Sequence, residues 1–316
     1  MKKLILSVVV LSILFSCQNE ETTIDSSLVN KSAERSCAST EVLERQLKEN
    51  PELALRMNKI EEFTAVAMAE NRIVNGRIEI PVVVNVLYRT TAENISLSQI
   101  QSQIDALNND FNALNSDYNS VPALFSGVKA NVGITFVLDQ VVRKSTTKSS
   151  WGTRDLMKNG KRGGINATSP ATKLNLWVCT IGGGILGYAQ FPGGSASTDG
   201  VVIDSKYVGL SGSANAPYNL GRTATHEVGH WMNLRHIWGD TTCGSDLVSD
   251  TPTHNTANYG DPTYPQNSTC AGNPVEMTMN YMDYTDDNAM YMFSIGQKER
   301  MDALFVVGGI RSSFRN

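Results

Sequence analysis

The sequence predicts an α+β protein: a sheet with helices packed on it, followed by a loop-rich half that closes with a helix. A β-branched run from Ile78 to Tyr88 comes first, then an amphipathic helical pattern and further strand-like runs. After residue 236 the chain becomes rich in Asp, Thr, Asn and Pro. One helical pattern then returns behind Ser294.

The first strand is Ile78-Glu79-Ile80-Pro81-Val82-Val83-Val84-Asn85-Val86-Leu87-Tyr88. Ser96-Leu97-Ser98-Gln99 reads as a capping box, and behind it Ile100, Ile104, Leu107, Phe111 and Leu114 recur at helical spacing. Strands are expected at 134–142, 174–181 and 201–204, with a short strand among the glycines of 182–194. Those glycines do not form a phosphate loop, because no Lys-Ser/Thr pair follows. In the last helix Ser294 is the cap, followed by Ile295, Met301, Leu304 and Phe305.

Ahead of this body, which starts near residue 73, lies a leader. Met1-Lys2-Lys3, the apolar stretch Leu4 to Phe15, and Ser16-Cys17 form a lipoprotein-type signal over 1–17, with Cys17 as the lipidated residue. The acidic residues behind it suit surface display, so the expected location is secreted or cell-surface, in the manner of an outer-membrane lipoprotein. Membrane contact is expected only through that N-terminal anchor. Residues 18–35 read as a tether, and 40–70 as two helices with Pro51 in the first turn of the second. The net charge of −4 excludes the basic face of a nucleic-acid binder.

The chain has four histidines, and three fall within eleven residues: His226-Glu227-Val228-Gly229-His230-Trp231-Met232-Asn233-Leu234-Arg235-His236. His226 and His230 are one helical turn apart on one face, so two neutral imidazoles can hold one edge of a zinc tetrahedron. Glu227 can reach the remaining solvent position and serve as general base. His236 comes six residues after His230, so a continuous helix would carry it away. A sharp turn must bring it back, and Asn233, which tolerates positive φ, stands where that turn is needed. Three histidines leave a fourth position for water, the catalytic rather than the structural pattern. Glu276 as third ligand is the competing arrangement, and the His236 spacing argues against it.

These residues resemble the metzincin metallopeptidases, whose pattern is His-Glu-x-x-His-x-x-Gly-x-x-His followed by a methionine turn. Asn233 replaces the glycine. The narrower resemblance is to the pappalysins, including cytophagalysin-like and ulilysin-like bacterial members, and it rests on His226 to Asp240 and on Asn280-Tyr281-Met282-Asp283-Tyr284-Thr285-Asp286-Asp287. It implies a metzincin-type catalytic domain over 73–316. In that fold an upper mixed, twisted β-sheet is backed by two helices, and a lower loop-rich half ends in a C-terminal helix. It implies Met282 as an apolar floor beneath the histidines and Tyr284 as the donor to the oxyanion. It implies protein or peptide substrates, with arginine favoured on the primed side as in some relatives; Asp302 is a candidate acidic pocket residue by its position alone. The segment Gly187–Pro192 resembles the edge strand that pairs with substrate.

Cys243 and Cys270 share one loop-rich region and are the natural disulfide pair, as in relatives, while Cys179 is expected as a buried free thiol. The loop with Asp240, Asp246 and Asp250 offers hard oxygen donors, so calcium is expected there, with Asp250 as a ligand. Residues 18–72 then read as tether and helical pro-segment, removed by cleavage within 71–77. Cys37 in Arg35-Ser36-Cys37-Ala38 would bind the zinc of the latent form as a thiolate. The reading is a secreted, latent zinc endopeptidase. The alternative is a catalytically idle, zinc-containing surface module for binding or adhesion, and an intact Glu227 and Tyr284 count against it.

Overall fold

A computed structural model describes residues 34–70 and 78–314. The signal segment, Cys17 and the expected cleavage stretch 71–77 lie outside the described residues.

Two helices, α1 (Ser39–Glu49) and α2 (Glu52–Ala69), open the described chain, with Pro51 as the N-cap of α2. Proline suits this place because its missing N–H would have no partner in a first turn. The expected tether ends sooner than residue 35, since Arg35 is buried.

The main sheet runs β2-β1-β3-β5-β4. Its strands are β1 (Ile78–Tyr88), β2 (Ile134–Ser145), β3 (Leu174–Cys179), β4 (Gly187–Ala189) and β5 (Val201–Asp204). All pairings are parallel except that of β4 with β5, so the sheet is mixed, with an antiparallel edge. β3 is buried along its whole length, as a central parallel strand covered on both faces must be. Pro81 sits just before β1 begins to pair with β3 at Val82, where a missing N–H breaks no ladder on that side.

Two strand ends differ from expectation for physical reasons. β2 continues past Val142 because Arg143, Lys144 and Ser145 still pair with β1 through main chain alone, which leaves no apolar signature. β3 stops at Cys179, and the Asp204 carboxylate accepts from the Ile181 N–H at 2.7 Å, drawing the chain out of the ladder. α3 (Leu97–Phe111) is capped by Ser96, whose Oγ accepts from the Gln99 N–H at 3.1 Å. Its inward face is Ile100, Ile104, Leu107 and Phe111. Leu114 falls outside it, because Ala113 takes φ 55° and ends the helical course.

The lower half follows α4 (Arg222–Trp231), every residue of which is buried. It contains a short ladder of β6 (Tyr259–Gly260) and β7 (Tyr284–Thr285) and the helix α5 (Ile295–Ala303), which opens with a full capping box from Ser294 and Gln297. Cys243 and Cys270 form a disulfide, and Cys179 is a buried free thiol.

Asp110, near the end of α3, joins three parts of this scaffold. It accepts from the Thr225 hydroxyl of α4 at 2.7 Å and from the Tyr281 hydroxyl at 2.8 Å, with Arg222 Nε at 3.7 Å. Burial, only partly offset by the Arg222 charge, pushes its carboxyl up to about 6. Asp110→Ala leaves the buried Thr225 and Tyr281 hydroxyls without their acceptor, while Arg222 keeps Asp117 at 2.6 Å, so it is expected to lower unfolding stability by about 2–4 kcal/mol. Denaturant unfolding measures this, and a loss under about 1 kcal/mol would refute the bridging role.

Candidate metal centre and active site

His226, Glu227 and His230 lie on α4 and are no more than 1% exposed. The Nε2 atoms of His226 and His230 are 3.2 Å apart, and those of His230 and His236 are 3.1 Å apart. Each ring's other nitrogen is held from behind. His226 Nδ1 lies 2.7 Å from the Tyr281 carbonyl, His230 Nδ1 2.8 Å from the Leu234 carbonyl, and His236 Nδ1 2.5 Å from an oxygen of Asp240. A proton on each Nδ1 satisfies those acceptors and turns three Nε2 lone pairs toward one another. Burial favours the neutral rings. It depresses His226 well below the usual imidazole range and His230 to about 3, with the neighbouring imidazoles adding to the effect.

Lone pairs packed this closely repel unless a cation shares them. Zinc bonded to nitrogen at about 2.0–2.1 Å would set tetrahedral ligands roughly 3.3 Å apart, close to what is seen. The donor set therefore fits zinc. Among the described residues, Cys37, His226, His230 and His236 are the one group of metal-holding side chains, with ligand atoms all within 4.8 Å of one another.

The turn that returns His236 is a Schellman closure. Asn233 takes φ 69°, its N–H donates to the His230 carbonyl at 2.9 Å, and the Leu234 N–H reaches back to the Gly229 carbonyl at 2.9 Å. Gly229 has its own reason, since a Cβ there would meet the Met282 sulfur at 2.5 Å. Met282 is fully buried against the underside of α4. Trp238 stacks flat on the His236 ring, with centroids 4.4 Å apart. The Tyr284 ring lies edge-on to both.

The leader runs directly over this group. Ser36 accepts from the Leu186 N–H at 2.9 Å, and Ala38 donates to the Gly187 carbonyl at 3.1 Å, so the segment lies parallel to β4. Gly187 has no side chain because a Cβ would meet Val202 O at 2.9 Å and Glu227 Cγ at 3.0 Å. The Cys37 thiol donates to Glu227 Oε2 at 3.3 Å, and the Ser39 hydroxyl donates to the same oxygen at 2.8 Å. The Tyr284 hydroxyl donates to the Cys37 carbonyl at 3.1 Å. Burial pushes the Glu227 carboxyl up to about 7, against the stabilising donors Ser39 and Cys37. Burial, together with the Glu227 charge, raises the Cys37 thiol well above its usual range.

Several residues in this cleft were not singled out from sequence. Arg35 pairs with buried Asp287 at 2.5 Å, donates to the Thr285 carbonyl at 3.1 Å, and lies over the Tyr218 ring at 4.8 Å. Its position two residues before Cys37 was the available signal. Ser39 carried none, because its partners come from distant segments. Asp302 is not in the cleft site; it pairs with Lys298 on α5. Glu276 is also elsewhere, accepting from Asn255 N–H at 2.7 Å and Asn258 Nδ2 at 2.9 Å.

The loop expected to hold calcium puts its aspartates to separate uses. Asp240 holds His236, Asp246 accepts from Thr251, and Asp250 accepts from the Ser294 hydroxyl at 2.7 Å and the Gly296 N–H at 2.8 Å, capping α5. Among the described residues, no three acidic groups converge there.

Comparison with known proteins agrees with this geometry. The family model described as pregnancy-associated plasma protein-A matches residues 179–306. An extracellular metalloprotease of Colletotrichum graminicola is 34% identical, covering 85% of this chain and 89% of its own. A mutant of Tannerella forsythia promirolysin superposes with a TM-score of 0.81 at 40% identity, over 89% of this chain and 97% of that one. Mature mirolysin of the same organism, in complex with a cleaved peptide, gives 0.73 at 43% identity, over 76% of this chain and 96% of that one.

Proposed function

Because the chain belongs to the pregnancy-associated plasma protein-A family of metallopeptidases, the pappalysins, we propose that it hydrolyses peptide bonds inside proteins at zinc held by His226, His230 and His236, and that it is made latent. The observation that carries this is the convergence of three Nε2 lone pairs beside Glu227. When bound, zinc supplies a Lewis acid for the scissile carbonyl and lowers the pKa of a water.

The chain's own groups supply the rest. Glu227 takes a proton from the attacking water and delivers it to the leaving amine. The Tyr284 hydroxyl donates to the oxyanion, a role supported by its present bond to a main-chain carbonyl. Met282 seats the helix that carries the ligands. β4, whose main chain now pairs with the leader, offers the same groups to an extended substrate. The cleaved peptide found with mature mirolysin supports peptide substrates. Relatives named as extracellular metalloproteases support secretion, and a lipid at Cys17 would tether the exported chain.

Residues up to about 72 act as the pro-segment in this reading. Cys37 places a thiol, rather than a scissile carbonyl, among the histidines. With zinc on the three histidines, Cys37 would be the residue beside it, and the ion's charge would favour the thiolate form of that side chain. Ser39 occupies Glu227 at the same time. Arg35 fills a pocket whose base is Asp287, which supports a preference for arginine on the primed side of the cut.

Three outcomes are expected. With the leader removed, wild type digests a denatured protein, zinc chelation stops it, and Glu227→Ala lowers turnover at least about a hundredfold. Equal, zero turnover by both forms would instead favour an idle binding module. On a peptide library, wild type selects arginine after the cut and Asp287→Asn loses the selection; an unchanged profile would remove Asp287 from the pocket. In the full chain, Cys37→Ala raises basal activity or shortens the zymogen's lifetime, and unchanged latency would refute the thiol switch.

A further inference from the structure

Asp240 is the one aspartate of its loop that reaches the metal group. The partners behind His226 and His230 are main-chain carbonyls, which no substitution removes. Behind His236 stands a side chain, and an anionic one, at 2.5 Å from Nδ1. The backbone is bent to bring it there. Gly239 and Asp240 take φ 63° and 59° in succession, a conformation that an L-residue other than Asn or Asp seldom keeps. Asp is one of the few residues with a side chain that accept this conformation, and here it sets the carboxylate directly behind a buried imidazole. The ring between them is fixed on its face by Trp238, stacked within 7° of parallel.

We propose that Asp240 is a positioning residue. It fixes the Nδ1–H tautomer and the ring orientation of His236, and through that ligand sets how tightly the chain holds its metal. The inference rests on the zinc reading given above and goes beyond it, since Asp240 touches neither metal nor substrate. The same carboxylate oxygen also accepts from the Thr40 hydroxyl of the leader at 3.1 Å. Thr40 and His236 share that oxygen, so the leader also contacts the support of the third histidine.

The test is zinc competition against a chromophoric chelator, using the full chain and Zn²⁺ alone, with wild type, Asp240→Ala, Asp240→Asn and His230→Ala. Asp240→Ala is expected to weaken zinc binding about 10–100-fold. Asp240→Asn, which tolerates the left-handed turn and keeps a neutral oxygen, is expected to fall between it and wild type. Co²⁺ bound in place of Zn²⁺ should show an altered visible absorption in both Asp240 variants, which a merely structural role would not produce. Thermal unfolding of the metal-free proteins should differ little between wild type and Asp240→Asn. Affinity within twofold of wild type in both Asp240 variants, with His230→Ala clearly impaired, overturns the role of Asp240 alone. Wild type and His230→Ala binding zinc equally, or neither binding it, overturns the zinc reading itself.

Discussion

Three imidazole lone pairs must meet at one point, and a straight helix can deliver only two of them. The rest of the lower half follows from that constraint. α4 presents His226 and His230 at adjacent turns. It must then stop within a few residues, reverse, and bring His236 back. The Schellman closure at Asn233 does this with main-chain bonds alone. It also frees the Leu234 carbonyl to hold His230 from behind. The helix end and the support of the second ligand are thus one piece of backbone. Met282 can approach the underside of that helix only because residue 229 is glycine. The loop that supplies Met282 also supplies the Tyr281 carbonyl that holds His226. Asp110 ties this loop and α4 to α3 in the upper half.

The leader uses the same site piece by piece. Its contacts fall on the group that would bind metal, on Glu227, on Tyr284 and on Asp287, through Cys37, Ser39, the Cys37 carbonyl and Arg35. Two main-chain bonds to β4 set the register that makes these contacts coincide. Since strand pairing fixes side chains at a period of two, Arg35 and Cys37 share one face of the extended segment, and Ser39 reaches Glu227 from the first turn of α1. A one-residue slip would turn Arg35 and Cys37 away from the cleft.

Much of this was legible in the sequence, because the most local features are the most constrained. The two-histidine spacing, the Glu between them and the positive-φ turn at Asn233 each follow from helix geometry within a few residues. So do the Ser96 and Ser294 caps and the Pro51 junction. What escaped was non-local or main-chain in origin. Asp287 meets Arg35 from 252 positions away. Ser39 reaches Glu227 across 188. The polar end of β2 pairs without side-chain signal. Asp240 carries no local signal of this contact: in an acid-rich loop it reads as one oxygen donor among several, and two successive left-handed residues turn it onto His236.

Asn233 is the one place where the metal motif departs from the glycine of the wider pattern, and the structure supplies a reason. Glycine would adopt φ 69° with less strain than asparagine. It would, however, have nothing to offer α2. The Asn233 side chain donates to Glu61 at 3.0 Å, and the same glutamate takes Arg300 from α5, whose guanidinium also donates to the Asn233 carbonyl at 3.3 Å. The turn that aims the third histidine is therefore clamped from both sides, by the body through Arg300 and by the leader through Glu61. Arg300 is 4% exposed, so its charge needs that carboxylate while the leader is in place. The asparagine thus serves two ends at once: its backbone places His236, and its side chain joins the turn to α2 through Glu61.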